Sequence, residues 1–110
     1  MKKQWLALGV LVAMAPLGVQ AADQGLELAR KSGCLACHSI EKKVVGPSWN
    51  DVAARYRNDV TAREQLIDKV KRGGKGNWVQ VTGGVPMPPY SPRVPDASIE
   101  ALVDFILALE

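Results

Sequence analysis

The two cysteines and the one histidine of this 110-residue chain fall together in Cys34-Leu35-Ala36-Cys37-His38. Thiols three positions apart sit about one helical turn from each other, so both can face the same planar ligand. An imidazole directly after the second thiol can turn beneath that plane. This is the attachment signature of c-type haem, with thioethers from Cys34 and Cys37 to the vinyl carbons and the His38 ring on the iron. Three other uses of the pair compete with it. A disulfide would close so short a loop that it would remove little unfolded-state entropy. A redox-active dithiol of the thioredoxin kind calls for βαβ patterning, which the chain does not display. Half of a zinc site would need a second chain, because one copy holds too few soft ligands.

An iron with a single protein ligand could bind small molecules or react with peroxide, so the opposite ligand decides the use of the site. There is no second histidine, and of Met1, Met14 and Met87 only the last lies beyond the N-terminal apolar run. Met87 stands in Gly84-Val85-Pro86-Met87-Pro88-Pro89, where the prolines fix φ and stiffen the segment that presents its side chain. A lone methionine is often a gap-filler in a core. One framed by three prolines on a long loop is better placed as an anchored ligand. His38 and Met87 together would saturate the iron and raise its potential, which suits electron transfer and disfavours substrate binding at the metal. The chain offers no recognisable nucleophile–base pair and no paired carboxylates, so an enzymatic reading has little to stand on.

The N-terminus belongs to a different category of signal. Lys2 and Lys3 precede an apolar run from about Trp5 to Val19, closed by Val19-Gln20-Ala21. That order of charge, apolar stretch and small residues is a secretory signal peptide, expected to be cleaved after Ala21. An uncleaved anchor is the alternative, but the run is short of the roughly 20 residues a span needs and Pro16 interrupts it. Removing residues 1–21 from 110 leaves a domain at 22–110 of 89 residues, in which 12 Lys plus Arg face 11 Asp plus Glu. A net charge of +1 leaves no domain-wide basic excess for nucleic acid. Export would put the two thiols in an oxidising compartment.

Four helical stretches must carry these residues. The first is expected from an Asp23 cap to about Ser32, stopped by Gly33. The second follows Pro47, where Ser48-Trp49-Asn50-Asp51 has N-cap character and Val52 and Tyr56 share a face. The third opens on Thr61-x-x-Glu64, read as a capping box, carries Ala62, Leu66, Ile67 and Val70, and ends at Gly73-Gly74. The last begins at Asp96 and shows Ile99, Leu102, Val103, Ile106 and Leu109 at helical spacing. No segment alternates as a strand does. The stretch from Gly73 to Pro95 reads as a loop of about 20 residues, unusual in a small domain unless it wraps something. Aromatic residues are only 5% of the chain, so a small core needs completing from elsewhere. A haem face covered by Val44, Val45, Leu66, Ile67, Val70, Leu102 and Ile106 would do so, with the first and last helices closing around Phe105.

With these residues in view, the chain resembles the class I cytochromes c, in particular the short bacterial periplasmic branch of five-five-one and five-five-two type. The resemblance covers nearly all of 22–110. It rests on the Cys34–His38 motif, Val45-Gly46-Pro47, Gly76-Asn77-Trp78, Val85-Pro86-Met87-Pro88-Pro89 and the closing amphipathic helix. It implies an all-α cytochrome c fold of four to five helices around one covalently attached haem c. It implies that the Pro47 carbonyl accepts from the ring N–H of His38, and that the Trp78 indole reaches a haem propionate. The function it implies is that of a soluble, monomeric, periplasmic one-electron carrier. Its partners would be larger redox proteins: a cytochrome-containing donor complex, and a terminal oxidase, nitrite reductase or peroxidase as acceptor. The chain departs from the branch in a longer connection between Trp78 and Met87 and in Tyr90, where relatives often place Asn. Lys69 falls where some relatives carry Arg. Docking is expected to use Lys42, Lys43, Lys71, Arg72 and Lys75 around an apolar haem edge.

Overall fold

The computed structural model describes residues 7–13 and 17–110. The described residues form five α-helices and one short 3-10 turn, with no strand among them: α1 (Leu17–Lys31), the turn Cys34–Ala36, α2 (Trp49–Arg55), α3 (Ala62–Arg72), α4 (Val79–Thr82) and α5 (Asp96–Leu107). The all-α class and the helix number agree with the sequence expectation. Residues 1–6 and 14–16, which carry Lys2, Lys3, Trp5 and Pro16 of the expected leader, lie outside the described residues. Leu8, Val10, Leu11 and Val12 of that leader are exposed. No helix among the described residues is long and apolar enough to cross a membrane.

Helix α5 is the centre of the packing, with α1, α2 and α3 all laid against it. Its Ile99, Leu102 and Val103 are buried, as their spacing required. The ring of Phe105 lies over Gly25, so α1 and α5 cross at the close approach expected between the first and last helices. Two buried clusters result. One joins Ala29, Cys34, Trp49, Val52 and Leu102; the other joins Ile67, Tyr90, Val94, Ile99 and Val103.

Several local expectations are corrected. Helix α1 does not start at an Asp23 cap; it starts at Leu17, and Asp23 is an exposed residue well inside it. Helix formers upstream, Gln20, Ala21 and Ala22, continue the hydrogen-bonded ladder, so nothing obliges Asp23 to cap it. The packed part of α1 nonetheless begins only at Gly25; residues 20–24 are exposed. The Thr61-x-x-Glu64 capping box does not form. Thr61 has helical φ and ψ and caps nothing; its amide and hydroxyl both donate to Asp59 Oδ1, at 2.9 and 2.7 Å. Those two bonds hold the Asp59 carboxyl below its ordinary pKa, while Glu64 pairs with Arg63. The Ser48 cap does form: its hydroxyl accepts from the Asp51 amide at 3.1 Å. The loop from Gly73 to Pro95 is not continuous, because α4 makes one turn of helix within it.

Candidate functional site

A cavity of about 340 Å³ opens between the two clusters, and its wall carries Cys34, Cys37, His38 and Met87 together. Trp78, Pro47, Lys69 and Tyr90 also line it. Cys34 and Met87, 53 positions apart in the chain, therefore meet at one largely apolar space.

The thiol side is built locally. Gly33, at φ 83°, lets the chain reverse after α1, and the 3-10 turn that follows sets Cys34 and Cys37 on the same wall. The amides of Cys37 and His38 both bond the Cys34 carbonyl, at 3.2 and 3.0 Å. Neither cysteine is in a disulfide. Burial pushes the Cys34 thiol up from its usual pKa, so the unreacted side chain is a neutral thiol at neutral pH.

The imidazole is held from three directions. Its Nδ1–H donates to the Pro47 carbonyl at 2.9 Å; a carbonyl can only accept, which leaves Nε2 with its lone pair. Burial favours the neutral ring and lowers the His38 pKa, outweighing that bond. Gly46 passes so near that any side chain there would run into the His38 ring. On another side the ring stacks on Trp49, with centroids 5.5 Å apart and planes 21° from parallel.

Met87 is presented by backbone pairing as well as by its prolines. Its amide donates to the Gly74 carbonyl at 3.0 Å, and the Gly74 amide returns a bond to the Met87 carbonyl at 2.8 Å. The Tyr90 amide then bonds the Val70 carbonyl at 3.1 Å, so the ligand loop is stitched to the end of α3. Gly73, at φ 72°, ends α3 directly against this loop; a side chain there would overlap the Met87 carbonyl.

Trp78 is partly buried in the wall and meets Tyr56 edge-on at 6.5 Å. The Arg55 guanidinium lies 4.7 Å from the Trp78 ring centre and donates to the Asn77 carbonyl at 2.9 Å. The Asn77–Trp78 segment is thus strapped to α2. Lys69 lines the cavity and its Nζ stands 3.5 Å from the Gly73 carbonyl.

Not every expected contact with the cavity is present. Leu66, Val70, Leu102 and Ile106 line it, but Ile67 does not. Ile67 is one position round the helix from Leu66, and that rotation sends it into the second cluster with Tyr90 and Val94. Val44 is 49% exposed and off the wall; Val45, 39% exposed, sits at its rim. Of the five expected docking charges, Lys71 pairs with Asp96 and Arg72 with Asp68. Lys42, Lys43 and Lys75 are exposed and make no ion pair among the described residues. Sequence reasoning missed Trp49, Arg55 and the role of Gly74. Trp49 had one available signal: a large apolar residue one position inside a helix start, where polar caps are usual.

Two thiols, an imidazole with a lone pair and a thioether around one apolar slot suit a flat metal macrocycle joined to the chain. The arrangement defines a c-type haem protein. Residues 22–110 match the protein family described as Cytochrome c. The chain is 55% identical over 84 residues to cytochrome c-551 of Allochromatium vinosum, covering 76% of this chain and 84% of that protein. It is 43% identical to cytochrome c-552 of Nitrosomonas europaea over the full length of both. The crystal structure of wild-type Nitrosomonas europaea cytochrome c552 superposes with a TM-score of 0.69 at 45% identity, covering 77% of this chain and 99% of that one. The chain belongs to the cytochrome c family, as a class I c-type cytochrome of the 551/552 type, and its cofactor is one covalently bound haem c.

Proposed function

We propose that the chain is a periplasmic one-electron carrier in which Cys34 and Cys37 form the thioethers, and His38 and Met87 are the axial ligands of the haem iron. The observation that carries this reading is the convergence of those four side chains on one cavity. Haem c, when bound, supplies a one-electron couple at its iron. The protein's part is to choose ligands, keep the iron coordinatively saturated and hold water away. His38 offers Nε2 with its lone pair because burial favours the neutral ring and the Pro47 carbonyl, accepting from Nδ1–H, fixes the tautomer. Trp78, strapped by Arg55, is the proposed indole donor to a propionate, with Pro47 orienting His38 on the other side.

Two other classes of function are less well supported. A dithiol oxidoreductase needs a low-pKa thiolate, and burial moves the Cys34 thiol the opposite way. A peroxidase or gas sensor needs Met87 to leave, yet the Met87 backbone is tied on both sides to Gly74. The exposed apolar residues 8 and 10–12, beside an α1 that packs only from Gly25, support a leader removed near Ala21 and a mature domain at 22–110. The test of the function is a redox titration of periplasmic protein followed by addition of carbon monoxide to the reduced form at neutral pH. A single reversible one-electron wave and an unchanged reduced spectrum are expected. Rapid carbon monoxide binding would replace the carrier reading with the sensor or peroxidase one.

Docking is proposed at the cavity rim, where Val45 and Val85 are half exposed and Lys75 lines the wall, with Lys42 and Lys43 exposed a few residues before Val45; none of the three lysines makes an ion pair among the described residues. With the net charge of the mature chain near zero once two propionates are counted, steering rests on these local charges. The double substitution Lys42→Glu, Lys75→Glu is expected to slow electron transfer to an acidic partner, mainly through the association rate. Added salt should shrink the difference from wild type. Equal stopped-flow rates at low ionic strength would leave these lysines with solubility alone.

A further inference from the structure

We propose that Trp49 is a positioning residue for His38, fixing the plane of the imidazole through a stack that runs from α1 to the ring. The inference rests on His38 being an axial ligand. One hydrogen bond, from Nδ1 to the Pro47 carbonyl, locates one atom of the ring, and the Gly46 backbone lies close against it, but neither presents a flat surface that sets the plane. A near-parallel, offset-stacked neighbour restricts rotation out of that plane. Trp49 is that neighbour, 5.5 Å away between centroids and within 21° of parallel, inside the range in which aromatic pairs attract.

Trp49 is itself immobilised. It is 3% exposed, and its ring meets Phe105 edge-on at 6.1 Å and 87°. Phe105 in turn lies across Gly25 of α1. The Trp49 amide donates to the Ser39 carbonyl at 2.9 Å, one residue after His38, so the stack is closed through the backbone as well. The Ser48 hydroxyl caps the helix that carries the indole. The imidazole plane is therefore referred to the crossing of α1 and α5 rather than to its own short segment. Such a support matters because a ligand is only as well oriented as the residues packed against it.

The orientation of an imidazole plane over a ferric haem splits the iron d orbitals and spreads the paramagnetic shifts of the haem methyls and ring nitrogens. Because the chain has one histidine, labelling with 15N-histidine reports His38 alone. The holoprotein is compared as wild type, Trp49→Phe, Trp49→Leu and Phe105→Leu. Trp49→Leu keeps apolar bulk and loses the flat face; it is expected to move the His38 15N resonances and change the spread of methyl shifts and the electron paramagnetic g values. Trp49→Phe should restore most of the wild-type pattern. Phe105→Leu should shift it in the direction of Trp49→Leu by less, and it carries the test together with Trp49→Phe if the leucine variant fails to accumulate. Wild-type spectra in whichever variants fold, accompanied only by a lower Tm, would overturn the proposal and leave Trp49 as core. A wild-type protein whose labelled histidine shows no paramagnetic shift would fail the ligand assignment itself, a different outcome from failure of the positioning.

Discussion

Replacing Met87 by His is expected to keep a six-coordinate low-spin iron and lower its potential by a sizeable part of the roughly 0.8 V that axial ligands span. Imidazole donates more strongly than a thioether and favours the ferric state. The physical basis for expecting a single, well-defined substitution effect is the anchoring of the loop. The paired bonds between Met87 and Gly74 and the bond from Tyr90 to Val70 do not involve the Met87 side chain, so the backbone at this position should survive the change. Met87→Ala should go further, opening the sixth position to water or carbon monoxide and abolishing the weak sulfur-to-iron absorption of the ferric form. Spectra and potential are the measurements. Retention of that band and of the wild-type potential in Met87→Ala would mean that another residue is the ligand.

The second large effect concerns attachment. Acid-acetone is expected to leave haem on the wild-type polypeptide, because thioethers survive conditions that break the iron–imidazole bond. Cys37→Ala should weaken or lose attachment and reduce holoprotein to a small fraction of the wild-type yield. The reason is structural as well as chemical. Leu66, Val70, Leu102 and Ile106 line the cavity from α3 and α5 and need a partner surface. With aromatics only 5% of the chain, the protein has no bulk of its own to fill that space. The apoprotein should therefore be poorly packed and prone to proteolysis, readable by limited digestion alongside the pyridine haemochrome spectrum. Complete extraction of haem from the wild type would refute the covalent assignment.

The features legible in the sequence are those whose physics is local. Cys34, Cys37 and His38 sit on one turn because five consecutive residues cannot be far apart, and Gly33 before them supplies the left-handed residue that frees the turn from α1. The Ser48 cap, the end of α3 at Gly73 and the buried face of α5 follow from caps, glycine and a 3.6-residue period, all properties of a few neighbours. The choice of Met87 came by elimination, and the proline frame around it is likewise local.

Only the tertiary structure decided the rest, because the deciding partners lie far along the chain. Gly74 and Met87 are 13 positions apart, and no periodicity announces that their amides and carbonyls pair. Trp49 reads as part of a helix start; its stacking on His38 depends on where α5 places Phe105, more than 50 positions later. Ile67 and Leu66 are equally apolar, and only the rotation of α3 against α5 sends one into the core and the other to the cavity. Thr61-x-x-Glu64 has the composition of a capping box, yet Asp59, two residues upstream, accepts from the Thr61 amide that Glu64 would have reached back to, and from the Thr61 hydroxyl as well. A one-residue rotation or a single competing hydrogen bond is worth about as much as the local preference it overrides, so contacts across the chain settle such positions.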